Sequence, residues 1–184
     1  MSKLWGRGLL FTGCLLLFSL CLGTAKAASS ENMDNTRLYF AYGSNMDRKQ
    51  MEERTFTAKF KGPARIRGYK FMINRRGVAS IVPDPARFVE GILWEISPAD
   101  EKMLDSFEGV AGGYYTKETI LVQERATGLM LAALVYIGAE SEPGRPREGY
   151  LEKIIKAAET NGFNDCYLKE LSRWQEPPKN KEGV

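Results

Sequence analysis

A glutamate at the end of a short helical pattern, Glu108, and a small-residue turn, Gly43-Ser44-Asn45, are the two features of this chain best suited to chemistry. The chain contains no histidine, which removes Ser-His-Asp and Cys-His catalysis and most catalytic zinc sites together. Acid–base work therefore falls to carboxylates, lysines or tyrosines. At 100° per residue, Glu108 follows Leu104 by one turn and borders the apolar stripe of Met103, Leu104 and Phe107. It also stands in the last helical turn, where the backbone dipole disfavours an anion. Partial burial and the dipole both raise a carboxyl pKa, which suits a group that takes a proton and returns it near neutral pH. Spacing alone leaves a second reading open, a surface glutamate continuing the acidic side of Glu101 and Asp105.

The turn has a different chemistry. Leu38 to Tyr42 reads as a buried strand, and Gly43-Ser44-Asn45 delivers it into a helix around Asp47 to Arg54. Backbone N–H groups left over where a strand gives way to a helix can converge on an anion, and a carboxylate is the natural guest. Ser44 lacks a partnering base and the glycine spacing of a nucleophile elbow, so it is read as a donor beside Gly43 and Asn45 rather than as a nucleophile.

The elements that must position these groups are mostly strands. Strands are expected over Thr55 to Phe60, Arg67 to Asn74 and Val89 to Ile96, punctuated by Gly62-Pro63, Arg76-Gly77 and Pro83-Asp84-Pro85. Ser97-Pro98-Ala99-Asp100 starts a helix, with Ser97 as cap, Pro98 at the first position and an acid three residues after the cap; Gly109 ends it. Tyr114 to Gln123 and Leu129 to Ile137 read as a hairpin around Ala126-Thr127-Gly128. A Pro/Gly-rich loop over 142–149 leads to an amphipathic helix from Tyr150 to Thr160, and a last helix covers Asp165 to Trp174. Strands and helices do not alternate, and there are no internal repeats, so the expected class is α+β, a small mixed β-barrel or strongly curled sheet with flanking helices.

The Tyr39-Phe40-Ala41-Tyr42-Gly43-Ser44 run, together with Phe107-Glu108-Gly109-Val110 and the following Gly113-Tyr114-Tyr115, resembles the γ-glutamylcyclotransferases, also called AIG2-like proteins, over roughly Arg37 to Trp174. The resemblance implies a small mixed barrel with helices outside it. It implies release of 5-oxoproline and a free amine from an L-γ-glutamyl amide, with Glu108 as the catalytic carboxyl. It also implies a substrate site made by Tyr39, Phe40, Ala41, Tyr42, Gly43, Ser44 and Asn45, with Tyr115 and Tyr150 lining the pocket. No cofactor or metal is expected. Tyr150 precedes Ile154 by one turn, so its ring should face inward with only the hydroxyl reaching a ligand. The alternatives are a non-catalytic γ-glutamyl-binding module and a cyclotransferase for a γ-glutamylamine or a larger γ-glutamylated product.

Lys3 and Arg7, the apolar run over 8–22 and the small-residue pattern Ala25-Lys26-Ala27 match a signal peptide over 1–27. A linker over 28–36, a domain over 37–174 and a charged, Pro-rich disordered tail over 175–184 complete the expected organisation. The expected location is periplasmic or secreted, an uncleaved anchor being the alternative; sequencing the native N-terminus should find Ala28, and an intact Met1 refutes cleavage. The leader holds three of the 26 basic residues, so 23 remain beside 23 acidic ones and the mature domain is formally neutral. A neutral domain excludes a general electrostatic partner such as nucleic acid and leaves a small-molecule substrate. The Arg65, Arg67, Arg75 and Arg76 cluster, interleaved with Tyr69 and Phe71, is read as a solvated strand face. Cys14 and Cys21 leave with the leader, and Cys166 is expected as a small core residue with no disulfide partner.

Overall fold

The computed structural model describes residues 35–175. The leader expected over 1–27, and nearly all of the linker and tail, lie outside the described residues. Strands β1 (Arg37–Ala41), β2 (Lys59–Ile73), β3 (Ala79–Ile96), β4 (Tyr115–Glu124) and β5 (Met130–Gly138) close into a barrel in the order β1-β3-β2-β4-β5. Neighbours are antiparallel except at the closure, where β1 meets β5 in parallel at Tyr39 and Leu134. Helices α1 (Arg48–Arg54), α2 (Pro98–Glu108), α3 (Tyr150–Thr160) and α4 (Asp165–Ser172) flank it. The barrel half of the expected α+β alternatives is therefore the one adopted.

Closure demands that β1 lie tightly on β3, and Gly91 permits it: a Cβ there would sit 2.5 Å from the Phe40 ring and collide with the Ala41 carbonyl. Residues Val89 to Trp94 are buried throughout, one face inside the barrel and the other beneath helices. The Tyr167 hydroxyl of α4 donates to Glu90 O at 3.2 Å, fixing that helix to the sheet.

Two strand expectations are corrected. Thr55 to Phe60 is mostly a connection, with only Lys59 and Phe60 in β2. Its amides are taken by a side chain rather than by a ladder: Phe56 N and Thr57 N donate to Asp100 Oδ1 at 2.7 and 3.1 Å. The punctuated segments beyond it are two long strands. Gly62-Pro63 lies at a register shift, and Pro83-Asp84-Pro85 lies where Gly68 faces an unpaired excursion of β3 between Pro83 and Phe88. Glycine and proline mark bulges here instead of strand ends, because a proline without N–H is tolerated where the ladder is already interrupted. Cys166 is exposed, another correction; Tyr167 and Leu171 supply the inward face of α4 and leave Cys166 turned away.

The start of α2 follows the sequence closely, as a capping box between Ser97 and Asp100 with Gly109 in the left-handed conformation at the far end. Asp100 is fully buried and also accepts from the Thr57 hydroxyl at 2.6 Å and from Ser97 N at 3.0 Å. Burial alone would raise its pKa, but the Thr57, Ser97 and Phe56 hydrogen bonds outweigh that and hold the carboxyl down to about 2. Since the folded pKa is depressed, the stability it contributes is present above about pH 4 and is lost as pH falls toward the folded value. Asp100→Ala should cost about 1–3 kcal/mol at neutral pH through donors left unpaired. Urea unfolding at pH 7 and pH 3 checks this: the deficit should narrow at the lower pH, and an equal deficit at both contradicts the assignment.

Candidate active site

The polypeptide leaves β1 at Ala41, turns through a single 3₁₀ turn at Ser44–Met46 and enters α1 with the Asp47 side chain capping Gln50 N at 2.8 Å. Gly43 precedes the 3₁₀ turn and supplies no side-chain cap. The first amides of such a turn have no intrahelical acceptor and remain available to a ligand. Space at this point is tight: a Cβ on Gly43 would stand 3.3 Å from both Ala79 Cβ and the Tyr150 hydroxyl.

The turn forms one wall of a cavity of about 300 Å³, and Glu108 forms another. Glu108 Oε1 accepts from Asn45 Nδ2 at 3.1 Å, and the same nitrogen donates to the Tyr39 hydroxyl at 2.9 Å, so both amide hydrogens are spent. Asn45 Oδ1 in turn accepts from Gln50 Nε2 and Arg54 Nη1, each at 2.9 Å. Gln50 Nε2 also donates to Ser44 Oγ at 2.7 Å, and Gln50 Oε1 accepts from Lys153 Nζ at 3.2 Å. The Asn45 side chain is therefore a fixed support that aims Glu108, and substrate is left to the main chain around it. Burial raises the Glu108 pKa above the ordinary glutamate range, with Arg54 and the Asn45 hydrogen bond working against the rise.

The tyrosines sort by what their hydroxyls do. Tyr115 donates to Ala79 O at 2.7 Å, and Tyr42 donates to Tyr136 O at 2.6 Å; both protons are committed. The Tyr150 hydroxyl accepts from Ala79 N at 3.3 Å and keeps its own proton to donate. Burial raises the pKa of Tyr39, Tyr42, Tyr115 and Tyr150, so all four are neutral near pH 7.

Of the residues expected at the site, Tyr39, Tyr42, Gly43, Ser44, Asn45, Glu108, Tyr115 and Tyr150 line the cavity. Phe40 and Ala41 do not: alternation turns Phe40 to the face opposite Tyr39, where its ring lies against Gly91, and Ala41, on the Tyr39 face, is buried with a side chain too short to reach the cavity. Phe107 is also corrected. It is half exposed, outside the buried stripe held by Leu104, and the Arg54 guanidinium lies 4.8 Å from its ring centre. Sequence reasoning missed Gln50, Arg54, Arg76, Arg147 and Lys153, all of which line the cavity. Lys153 stands one turn after Tyr150, and Gln50 is a buried polar residue of α1; helical spacing carried a signal for these two. Arg76, read as part of a solvated face, stacks 3.6 Å from the Tyr114 ring centre. Among the described residues, no group of three or more metal-ligating side chains could hold a metal ion.

Comparison with known proteins bears on this arrangement. The model of the AIG2-like family matches residues 88–171. The mouse γ-glutamylcyclotransferase is 30% identical over 146 residues, covering 74% of this chain and 77% of the mouse protein. The chain belongs to the γ-glutamylcyclotransferase family. The human γ-glutamylcyclotransferase is 28% identical over 144 residues, covering 73% of this chain and 76% of the human protein. A solved γ-glutamyl cyclotransferase structure superposes with a TM-score of 0.71 at 27% identity, covering 82% of this chain and 94% of that one. The β-barrel and the cavity beside Glu108 are thus set in a γ-glutamylcyclotransferase fold.

Proposed function

We propose that this chain releases 5-oxoproline and a free amine or amino acid from an L-γ-glutamyl amide by intramolecular cyclisation. The observation that carries the reading is a partly buried carboxyl, Glu108, sharing one cavity of about 300 Å³ with the uncapped turn at Gly43. The turn amides hold the substrate α-carboxylate, with the Tyr150 hydroxyl beside them. That anchor brings the α-amino group against its own γ-carbonyl, an orientation effect worth on the order of 7–11 kcal/mol in well-aligned ring closures. Glu108 takes a proton from the α-ammonium and the amine nitrogen bonds to the γ-carbon; that nitrogen gives up a second proton as the bond to the leaving nitrogen breaks, and both protons depart on the leaving amine as an ammonium, relayed in turn by Glu108. Water is not consumed, and the carboxylate ends in its starting state.

The test is amine release from γ-glutamyl-alanine beside its α-N-acetyl analogue. Alanine and 5-oxoproline should form in equal amounts from the first and neither from the second, whose nitrogen cannot attack. Equal turnover of both compounds overturns cyclisation.

A further inference from the structure

The cavity is lined by four cations, Arg54, Arg76, Arg147 and Lys153, against a single carboxylate, Glu108. Arg54 is tied to Asn45 and Lys153 to Gln50, both on the side of the turn. Arg76 and Arg147 stand together on another wall, and the backbone puts them there. The loop after β5 is laced to the β2–β3 turn by Arg75 N to Glu142 O, Gly144 N to Ile73 O and Arg147 N to Gly77 O, at 3.1, 2.9 and 3.0 Å. Arg147 Nε adds a bond to Arg76 O at 2.9 Å. Gly77, at φ 75°, allows this approach: a Cβ there would sit 2.8 Å from Arg147 Cγ and 2.9 Å from Arg145 O.

Two arginines that line one cavity normally find a carboxylate. Among the described residues neither of these forms an ion pair. Arg76 Nη1 is buried with no hydrogen-bond partner at all, although the Tyr114 ring supports the guanidinium from below. An unspent buried donor is costly, and a guanidinium fork matches a carboxylate in two-point geometry.

We propose that Arg76 and Arg147 form a leaving-group subsite that reads two carboxylates, so that γ-glutamyl conjugates of acidic amino acids are preferred substrates. This rests on the cyclotransferase reading above. The γ-glutamyl α-carboxylate occupies the turn, the α-carboxylate of the leaving residue meets Arg76, and a side-chain carboxylate meets Arg147 at the exposed rim.

The test compares kcat/KM for γ-glutamyl-glutamate and γ-glutamyl-glutamine, which differ by one charge at nearly the same shape. The wild type should favour the glutamate compound by about fivefold, the worth of a partly exposed ion pair. The preference should shrink at high salt and approach unity in R147Q, whereas R76Q should lower kcat/KM for both compounds alike, with R76K keeping part of the rate. Arg147 is exposed, so R147Q decides the matter even where R76Q melts early. Equal turnover of both compounds by the wild type, or an unchanged preference in R147Q, removes the subsite and leaves the cyclotransferase reaction standing. No 5-oxoproline from either compound or from γ-glutamyl-alanine overturns the reaction and the subsite together.

Discussion

Glu108→Gln should lower kcat on γ-glutamyl-alanine by about 10²–10⁴-fold, the usual worth of a positioned acid–base group, while leaving the protein as stable as the wild type or more so. The glutamine keeps the size of the side chain and its hydrogen bond with Asn45, whose amide sits 3.1 Å from Glu108 Oε1. It cannot take a proton from an ammonium. The stability half follows from the sign of the pKa shift. Burial raises the folded-state pKa of Glu108, with Arg54 and Asn45 opposing, so the folded protein holds this proton more tightly than the unfolded chain. Stability associated with the group is then highest at low pH and falls as pH rises through the folded pKa. At pH 7 the ionised side chain is a cost that the glutamine avoids. Thermal melts and initial rates on the same preparations check both halves. A variant of full activity excludes Glu108 as the proton carrier, and one inactive only because it melts early leaves it without support.

Asn45→Asp should move the acid limb of the kcat/KM profile to higher pH by about one unit or more, because a second carboxylate within hydrogen-bond reach of Glu108 disfavours its ionisation. The change is isosteric, and the partners of Asn45 Oδ1, Gln50 and Arg54, still have an acceptor. What is lost is the donor to Glu108 and to Tyr39. Activity well below neutrality should collapse, with a smaller loss at high pH where both carboxyls are ionised. A limb that stays in place, or shifts downward, means that Glu108 is not the group whose ionisation the profile reports, or that Asn45 does not hold it.

The parts of this site that could be read in advance are those encoded over a few neighbouring residues. Ser97, Pro98 and Asp100 mark the start of α2, and Gly109 marks its end, which fixes Glu108 at the helix terminus. Tyr150 to Thr160 forms α3 with the bounds its amphipathic spacing predicts. What could not be read depends on pairing across the chain. Arg76 and Arg147 are 71 residues apart and meet only because backbone hydrogen bonds join two loops. The long strands β2 and β3 were hidden because Gly62-Pro63 and Pro83-Asp84-Pro85 look like strand ends until the opposing register shows them at bulges. Phe107 carries the apolar signature of a core position, yet its role is to lie under Arg54 at the rim of the cavity. Alternation along β1 separates Tyr39, which faces the site, from Phe40, whose ring lies against Gly91; the family motif alone does not make that distinction.

The most direct test of the cyclisation is product analysis of γ-glutamyl-alanine turnover in ¹⁸O-labelled water. The reaction described here predicts 5-oxoproline free of ¹⁸O, alanine in equal amount and no glutamate, because the attacking atom is the substrate's own nitrogen. Glutamate carrying ¹⁸O in its γ-carboxyl would contradict it, since water would then be the nucleophile in the cavity beside Glu108.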